Sequence, residues 1–382
     1  RGLGDVYKRQ VDNLKLRASW GQLGNQEIDD YLFYDTYSFG YDYSFGNTLF
    51  SGISINDVMA NSAITWEKTD QIDVGIDADF WGGKLSFTGD FFLKNTHAIL
   101  LKLPMPDLIG VDAPMQNAGK VRNTGFELAL THRNQLNLFK YSASFNFSYV
   151  KNEITDLNGG DIPGRSVGDP VDNIYGYVCE GIFRTQEEID NSCSQIWGAV
   201  PGDLKYADIN NDNVVDQSDR ISLGSTFPKI NFGLRLNCEY RNFDLTMLMQ
   251  GAGMVKGVTA GEISQAFMNG GKVTEEWLDR WTPNNINASY PRLTLSSSSR
   301  NYMTSSFWVQ NASYLKMRNL QIGYTIPKHL LTNWGISNLR LYCSIDNLFT
   351  ITNFKGLDPE MVTSSTLYPL TRNYSFGVNL SF

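Results

Sequence analysis

The chain has 382 residues, of which 42% are hydrophobic and 19% charged, and its formal net charge is −8. It is too apolar and too weakly charged for a disordered chain, and too acidic to carry the basic footprint of a nucleic-acid binder. No apolar run approaches the ~18 residues that a membrane-spanning helix requires. Aromatic residues make up 13%, with 19 Tyr, 22 Phe and 34 Gly, a composition that favours strands and turns over helix bundles. A membrane β-barrel stays open, because its strands are short and apolar on one face only.

The chain begins without Met and without a signal peptide. Residues 1–10, RGLGDVYKRQ, share no periodicity with the residues after them. They are similar to an adapter-derived leader on assembled environmental fragments, and they are set aside as non-native. The native N-terminus is expected upstream, so the missing signal peptide says nothing about location.

From residue 11 onward, apolar and polar residues alternate in the manner of strands with two unlike faces. Leu14, Leu16, Ala18 and Trp20 form one such face, and Ile72, Val74, Ile76, Ala78 and Phe80 the next. Tyr141, Ala143, Phe145, Phe147 and Tyr149 repeat the pattern, as do Phe232, Leu234, Leu236, Cys238 and Tyr240, and then Leu339, Leu341, Cys343 and Ile345. Further strands are expected at 84–94, 120–132, 243–250 and 314–326. Segments 68–80 and 84–94 read as a hairpin through Trp81-Gly82-Gly83, and 229–240 and 243–250 as another through Arg241-Asn242.

Between these pairs lie long stretches without strand pattern, at 22–62, 100–119, 155–228 and 251–312. Short turns alternating with long loops fit an outer-membrane barrel, whereas a soluble domain seldom carries several loops longer than ~15 residues. A soluble β-sandwich also alternates, and periodicity alone does not say which face is wet. The last strand, Tyr374, Phe376, Val378, Leu380 and Phe382 against Ser375, Gly377, Asn379 and Ser381, ends on an aromatic residue. That ending resembles the assembly signal of bacterial outer-membrane barrels.

One loop carries a metal-like pattern. Asp208, Asn210, Asp212, Asp216 and Asp219 fall at positions 1, 3, 5, 9 and 12 of a calcium loop, and Val214 offers its carbonyl at position 7. Hard cations need that density of oxygen donors. Asn213 stands where Gly is usual, and Asp219 where Glu is usual. A structural calcium ion and an Asx-rich turn held by its own hydrogen bonds both fit.

The four cysteines, Cys179, Cys193, Cys238 and Cys343, contain no CxxC pair, so a zinc knuckle is not expected. Cys179 and Cys193 share one long loop, where a disulfide and two free thiols are both compatible with the spacing. Cys238 and Cys343 sit at apolar strand positions and read as small hydrophobes. His97, His132 and His329 match no metal or triad spacing.

No GxSxG, HExxH or Walker sequence is present. Asp73, Asp77 and Asp79 share one strand face, which a hydrated surface explains without chemistry. No catalytic role is therefore expected. Trp277 and Trp281, four apart in Glu276-Trp277-Leu278-Asp279-Arg280-Trp281-Thr282-Pro283, read as one face of a short helix ended by Pro. They are candidates for stacking on a sugar, and packing of a long loop competes with that reading.

Ordered motifs now run nearly end to end. They are Leu14 to Asn25, Ile64 to Asp70, Asn117 to Glu127 and Pro201 to Asp208, then Arg280 to Asn284 with Tyr290 to Leu293. Ala312 to Tyr324, Asn347 to Thr350, Gly356 to Glu360 and the terminal strand complete the series. Over residues 11–382 this series resembles the C-terminal part of SusC/RagA-type TonB-linked outer-membrane transporters. The resemblance implies an all-β chain: the C-terminal half of a large antiparallel transmembrane β-barrel with long extracellular loops, in the outer membrane of a Gram-negative cell.

In that family a 22-stranded barrel is filled by an N-terminal plug, a SusD-like surface lipoprotein forms a lid, and oligosaccharides, or peptides in some members, bind between them. The TonB complex pulls on the plug to admit the substrate. The segment shows roughly half the strands and no plug or TonB-contacting region, so alone it is not expected to close or to transport. The expected function is thus part of an active importer without covalent chemistry, the acidic loop holding calcium as a brace. The competing reading is a soluble β-rich calcium-dependent carbohydrate-binding module.

Overall fold

The structure, a computed structural model, describes residues 10–25, 30–55, 58–106, 108, 110–160, 162–295, 299–363, 368 and 370–382. Except for Gln10, the leader reading of residues 1–10 lies outside the described residues.

Ten strands form one antiparallel sheet. They are β1 (Val11–Asn25), β2 (Glu67–Phe80), β3 (Leu85–Lys102), β4 (Met115–Leu136) and β5 (Phe139–Asp156), followed by β6 (Ile230–Tyr240), β7 (Phe243–Gly253), β8 (Tyr314–Thr325), β9 (Asn338–Thr352) and β10 (Asn373–Ser381). Each pairs with its neighbours in chain order, so the sheet is a plain meander with β1 and β10 at its edges. Both expected hairpins form. Among the described residues no helix is long and apolar enough to cross a membrane, which leaves strands unaddressed.

The register separates the two faces. One row of directly paired residues runs Leu16, Ile76, Gly89, Leu128, Phe147, Phe232, Gly251, Leu315, Ile351 across nine strands. The row one residue further along β1 runs Arg17, Gly75, Asp90, Glu127, Ser148, Asn231, Ala252, Tyr314, Thr352. Successive residues of a strand point to opposite faces, so the first row lies on an apolar face and the second on a polar one. A one-residue slip in any pair would exchange them.

The polar face is laced with charge pairs. Arg17 Nε donates to Asp77 Oδ2 at 2.8 Å, and its Nη2 lies 2.7 Å from Asp90 Oδ1. Gly75 makes this possible: a Cβ there would stand 2.1 Å from Asp90 Oδ1 and 2.7 Å from Arg17 Nη2. Asp79 accepts from Ser86 and Asn13. Asp77 and Asp79 are therefore taken up by neighbouring strands.

The connections are sharply unequal. Residues 81–84, 137–138, 241–242 and 326–337 close one end of the sheet, and the described residues of connections 26–66, 103–114, 157–229, 254–313 and 353–372 lie at the other. Strands such as β4, at 22 residues, exceed the ~9–11 needed to span a bilayer and continue past it as paired ribbon.

Among the described residues the most deeply buried apolar side chains are not in the sheet. Tyr177, Leu204, Tyr206 and Val215 form one cluster and Ala266, Trp277 and Trp308 another, with Phe307 packed against both. Connections 157–229 and 254–313 thus fold together into a body with its own core, as long loops must if they are to be ordered.

Candidate functional site

The loop body is organised around buried polar groups that satisfy its irregular backbone, the general requirement for a structure without regular ladders. Two short ribbons supply its frame, Cys179–Ile182 with Leu204–Tyr206 and Asn173–Gly176 with Ile221–Ser225. Asn301, fully buried, accepts from Leu204 N at 2.8 Å and donates to Asp203 Oδ1 at 2.9 Å. Tyr206 donates its hydroxyl to Arg300 O at 2.6 Å. Arg300 donates to Gly198 O and Gln195 Oε1, each at 2.6 Å, and to Leu204 O at 3.0 Å. Arg292 Nε donates to Asp203 Oδ1 at 2.7 Å, and Arg292 N to Gly202 O at 2.7 Å.

Burial draws the Arg300 guanidinium below its ordinary value, with Asp203 and Tyr206 pulling against it. Burial is also the main cause that raises the Tyr206 hydroxyl far above its ordinary value.

Gly202 fixes where the two loops meet. Its φ is +95°, and a Cβ there would stand 2.5 Å from the Trp281 ring and 2.7 Å from Arg292 Cβ. Only glycine tolerates both the left-handed backbone and this approach.

The two tryptophans separate. Residues Glu275–Asp279 form a 3₁₀ turn, and Arg280 is already extended. At three residues per turn, Trp277 and Trp281 do not share a helix face as expected. Trp277 is 2% exposed and packs edge-on against Tyr290 and Tyr302, so its ring is closed to a sugar. Trp281 is half-buried against Gly202.

The acidic loop is closed by its own amides. Asp208 accepts from Asn211 N and Asn213 N at 2.7 Å each. Asn210 accepts from Asp212 N, Asp212 from Val214 N, and Asp216 from Ser218 N. Asp219, 0% exposed, takes Ile209 N at 2.7 Å, Asn210 N at 3.3 Å and Asp216 N at 2.8 Å. Asn213 adopts φ +68°, the left-handed turn that Asn tolerates in place of Gly. Among the described residues no three His, Cys, Asp or Glu side chains gather closely enough to hold a metal.

Cys179 and Cys193 are free thiols. Cys179 pairs with Tyr206 across the ribbon, and the Gln195 side chain binds the Tyr206 amide and carbonyl. The Tyr206 backbone N–H and C=O are thus both taken by Gln195. Burial pushes the Cys179 thiol up to about 11, which keeps it protonated and unreactive at neutral pH.

A second polar cluster ties the last long connection to the sheet. Glu360 accepts from Gln250 Nε2 and the Tyr314 hydroxyl at 2.9 Å each, and from Lys316 Nζ at 2.9 Å. Arg318 is also paired with it. Lys316, 1% exposed, has Asp358 as its other carboxylate at 3.3 Å. Burial alone would raise the Glu360 carboxyl, but Lys316, Tyr314 and Arg318 outweigh it and hold the group below its ordinary value. Phe354 and Val362, on the same connection, pack with Val255 and Ala312.

An open-edged meander with opposed apolar and polar faces, short turns at one end and an ordered loop body at the other, defines a segment of an outer-membrane β-barrel wall. The sequence profile described as "TonB dependent receptor-like, beta-barrel" matches residues 3–348, and the chain belongs to that family. It is 28% identical to TonB-dependent receptor P3 of Formosa agariphila over 97% of its own length and 40% of the relative's. It is 27% identical to TonB-dependent receptor SusC of Bacteroides thetaiotaomicron over 97% and 38%.

The solved RagAB peptide transporter superposes with a TM-score of 0.78 at 25% identity, over 98% of this chain and 41% of that one. The chain thus spans about 40% of the length of the curated relatives it matches. The family places it in the outer membrane and sets aside the soluble-module reading. The apolar row faces lipid, the polar row faces the lumen, and the loop body lies outside the cell.

Proposed function

We propose that the chain forms the C-terminal wall and outer loop body of a TonB-energised importer of oligosaccharides that works beneath a SusD-like lipoprotein lid. The observation that carries this reading is the loop body: an ordered, separately cored structure standing over one end of a sheet that matches SusC and RagAB-type chains. The loops bind and orient substrate, the lid covers it, and TonB acts on a plug supplied by the rest of the full-length protein. The remaining strands of that protein pair with the free edges of β1 and β10, since open edges are not tolerated in lipid. No bond in the substrate is made or broken.

Peptides are the second reading, favoured by the likeness to RagAB, which is described as a peptide transporter. Deleting the gene and offering fluorescent oligosaccharides and peptides in parallel tests both. Loss of oligosaccharide uptake is expected, and unchanged uptake of everything offered would overturn the importer reading.

The acidic loop carries a separate proposal, that a calcium ion braces it. Asp208, Asn210, Asp212, Asp216 and the Val214 carbonyl would supply donors once the carboxylates turn toward one centre from the loop amides they now accept, while Asp219 holds the loop through its amides. Four carboxylates within twelve residues, none in an ion pair with a cationic side chain of the described residues, support this. Titration of the full-length protein with calcium should release heat and raise the melting temperature of the loop body. Neither effect at millimolar calcium would refute it.

A further inference from the structure

A cleft of about 400 Å³ opens between residues 197–203 on one side and residues 292–294 with 299–300 on the other. Two guanidinium groups, of Arg292 and Arg300, line it, with one carboxylate, Asp203. That carboxylate is saturated. Its Oδ1 takes Arg292 Nε and Asn301 Nδ2, and its Oδ2 takes Val200 N at 3.0 Å. Arg292 therefore engages Asp203 through Nε alone, and its Nη groups bond to none of the described residues. Arg300 is 5% exposed, its three bonds all go to neutral oxygens, and its Nε is buried without a partner. The cleft thus holds one uncompensated positive charge.

At its rim stands Trp197, 71% exposed and with φ at +57°. A bulky side chain in the left-handed region is strained, and such strain persists where the surroundings impose it. Here Gly198 N donates to Gln195 O at 2.9 Å while Gly198 O accepts from Arg300, so the hub that holds the guanidinium also holds the ring out.

We propose that this cleft binds a carboxylate-bearing sugar, its carboxylate on the free nitrogens of Arg292 and its ring on Trp197. The inference rests on the importer reading and narrows its substrate to acidic oligosaccharides. A guanidinium fork recognises a planar carboxylate through two parallel charge-assisted bonds. The C–H face of a pyranose packs on the negative face of an aromatic ring. The described lining residues lie in turns and irregular backbone rather than in strands, so they offer no strand edge for the main-chain ladder that an extended peptide uses.

The test is calorimetric binding of an oligogalacturonate to the full-length protein in detergent, against the same oligomer with its carboxyls reduced to alcohols and a peptide of equal charge. The acidic oligomer should bind about tenfold or more tighter than the reduced one. Trp197→Ala should remove the binding. Arg292→Lys, which keeps a cation beside Asp203, should remove the preference for acid, with the circular dichroism of the sheet unchanged in both.

Equal binding of acidic and reduced oligomers, tighter binding of the peptide, binding indifferent to both variants, or no binding of the acidic oligomer would each overturn the proposal. Cellular uptake of neutral oligosaccharides would persist in those cases if the importer reading alone is sound.

Discussion

Glu360→Gln tests how the last outer connection is held. The carboxylate faces Lys316 and Arg318 and receives hydrogen bonds from Tyr314 and Gln250. The substitution keeps the shape and removes the charge. Lys316, almost without solvent contact, is left with Asp358 at 3.3 Å as its carboxylate. Breaking one side of a fully buried pair costs about 3–5 kcal/mol. Asp358 remains and Glu360 is partly exposed, so the cost here is about 2–3 kcal/mol, or about 30- to 150-fold in the equilibrium that opens the connection.

Hydrogen exchange read by mass spectrometry over residues 353–363 measures that equilibrium directly. Combining Glu360→Gln with Lys316→Met should restore much of the loss, because Lys316, the nearly inaccessible charge of the cluster, is then gone and only the part-exposed Asp358 and Arg318 remain charged. Protection unchanged within about twofold, or strictly additive effects in the double variant, would refute the reasoning.

Three further outcomes are expected from the same geometry. Gly202→Ala should cost about 2–4 kcal/mol through backbone strain and collision with Trp281, seen as faster proteolysis within 173–310 while sheet circular dichroism is kept. Trp277→Ala should cost about 3–5 kcal/mol of loop-body stability in thermal melts; a loss of sugar binding without that destabilisation would contradict its packing role. Glu360 and Asp279 are both held below their ordinary values, Asp279 chiefly by Ser289 and Asn285. Their contribution is therefore present above about pH 4 and lost as pH falls through the lowered folded values. Exchange in 279–290 and 353–363 should rise on acidification in that window, and a rise on the alkaline side instead would contradict it.

Much of the sheet was legible because a barrel strand writes its two faces at period two. The alternations at 14–20, 72–80, 141–149, 232–240 and 339–345 all fall inside strands of the sheet. The ends were less legible. β3 runs to Lys102 and β4 begins at Met115, beyond the expected 94 and 120, because past the bilayer a ribbon needs backbone pairing but no lipid face. Pieces such as Lys256–Val258 with Val309–Asn311 are too short to show any period.

The loop body was scarcely legible. Asp203, Arg292, Arg300, Asn301 and Glu360 are single polar residues whose side-chain partners lie 42 to 110 positions away, a relation that no local pattern encodes. A faint signal existed in Lys316 and Arg318, two cations at alternate positions of one strand, and in the paired acids of Asp358-Pro359-Glu360. The tryptophan spacing misled because four residues apart implies one face only at 3.6 residues per turn, and the segment winds more tightly.

The account rests on which way the strands face. Placing single spin labels at positions 126 to 131 of the full-length protein in outer membranes, with the native cysteines changed to Ser, tests this directly. Phe126, Leu128 and Leu130 should be reached by oxygen dissolved in lipid, and Glu127, Ala129 and Thr131 by a water-soluble nickel complex, in strict alternation. Uniform access of the nickel complex to all six, or the reverse alternation, would contradict a barrel wall with its polar row toward the lumen.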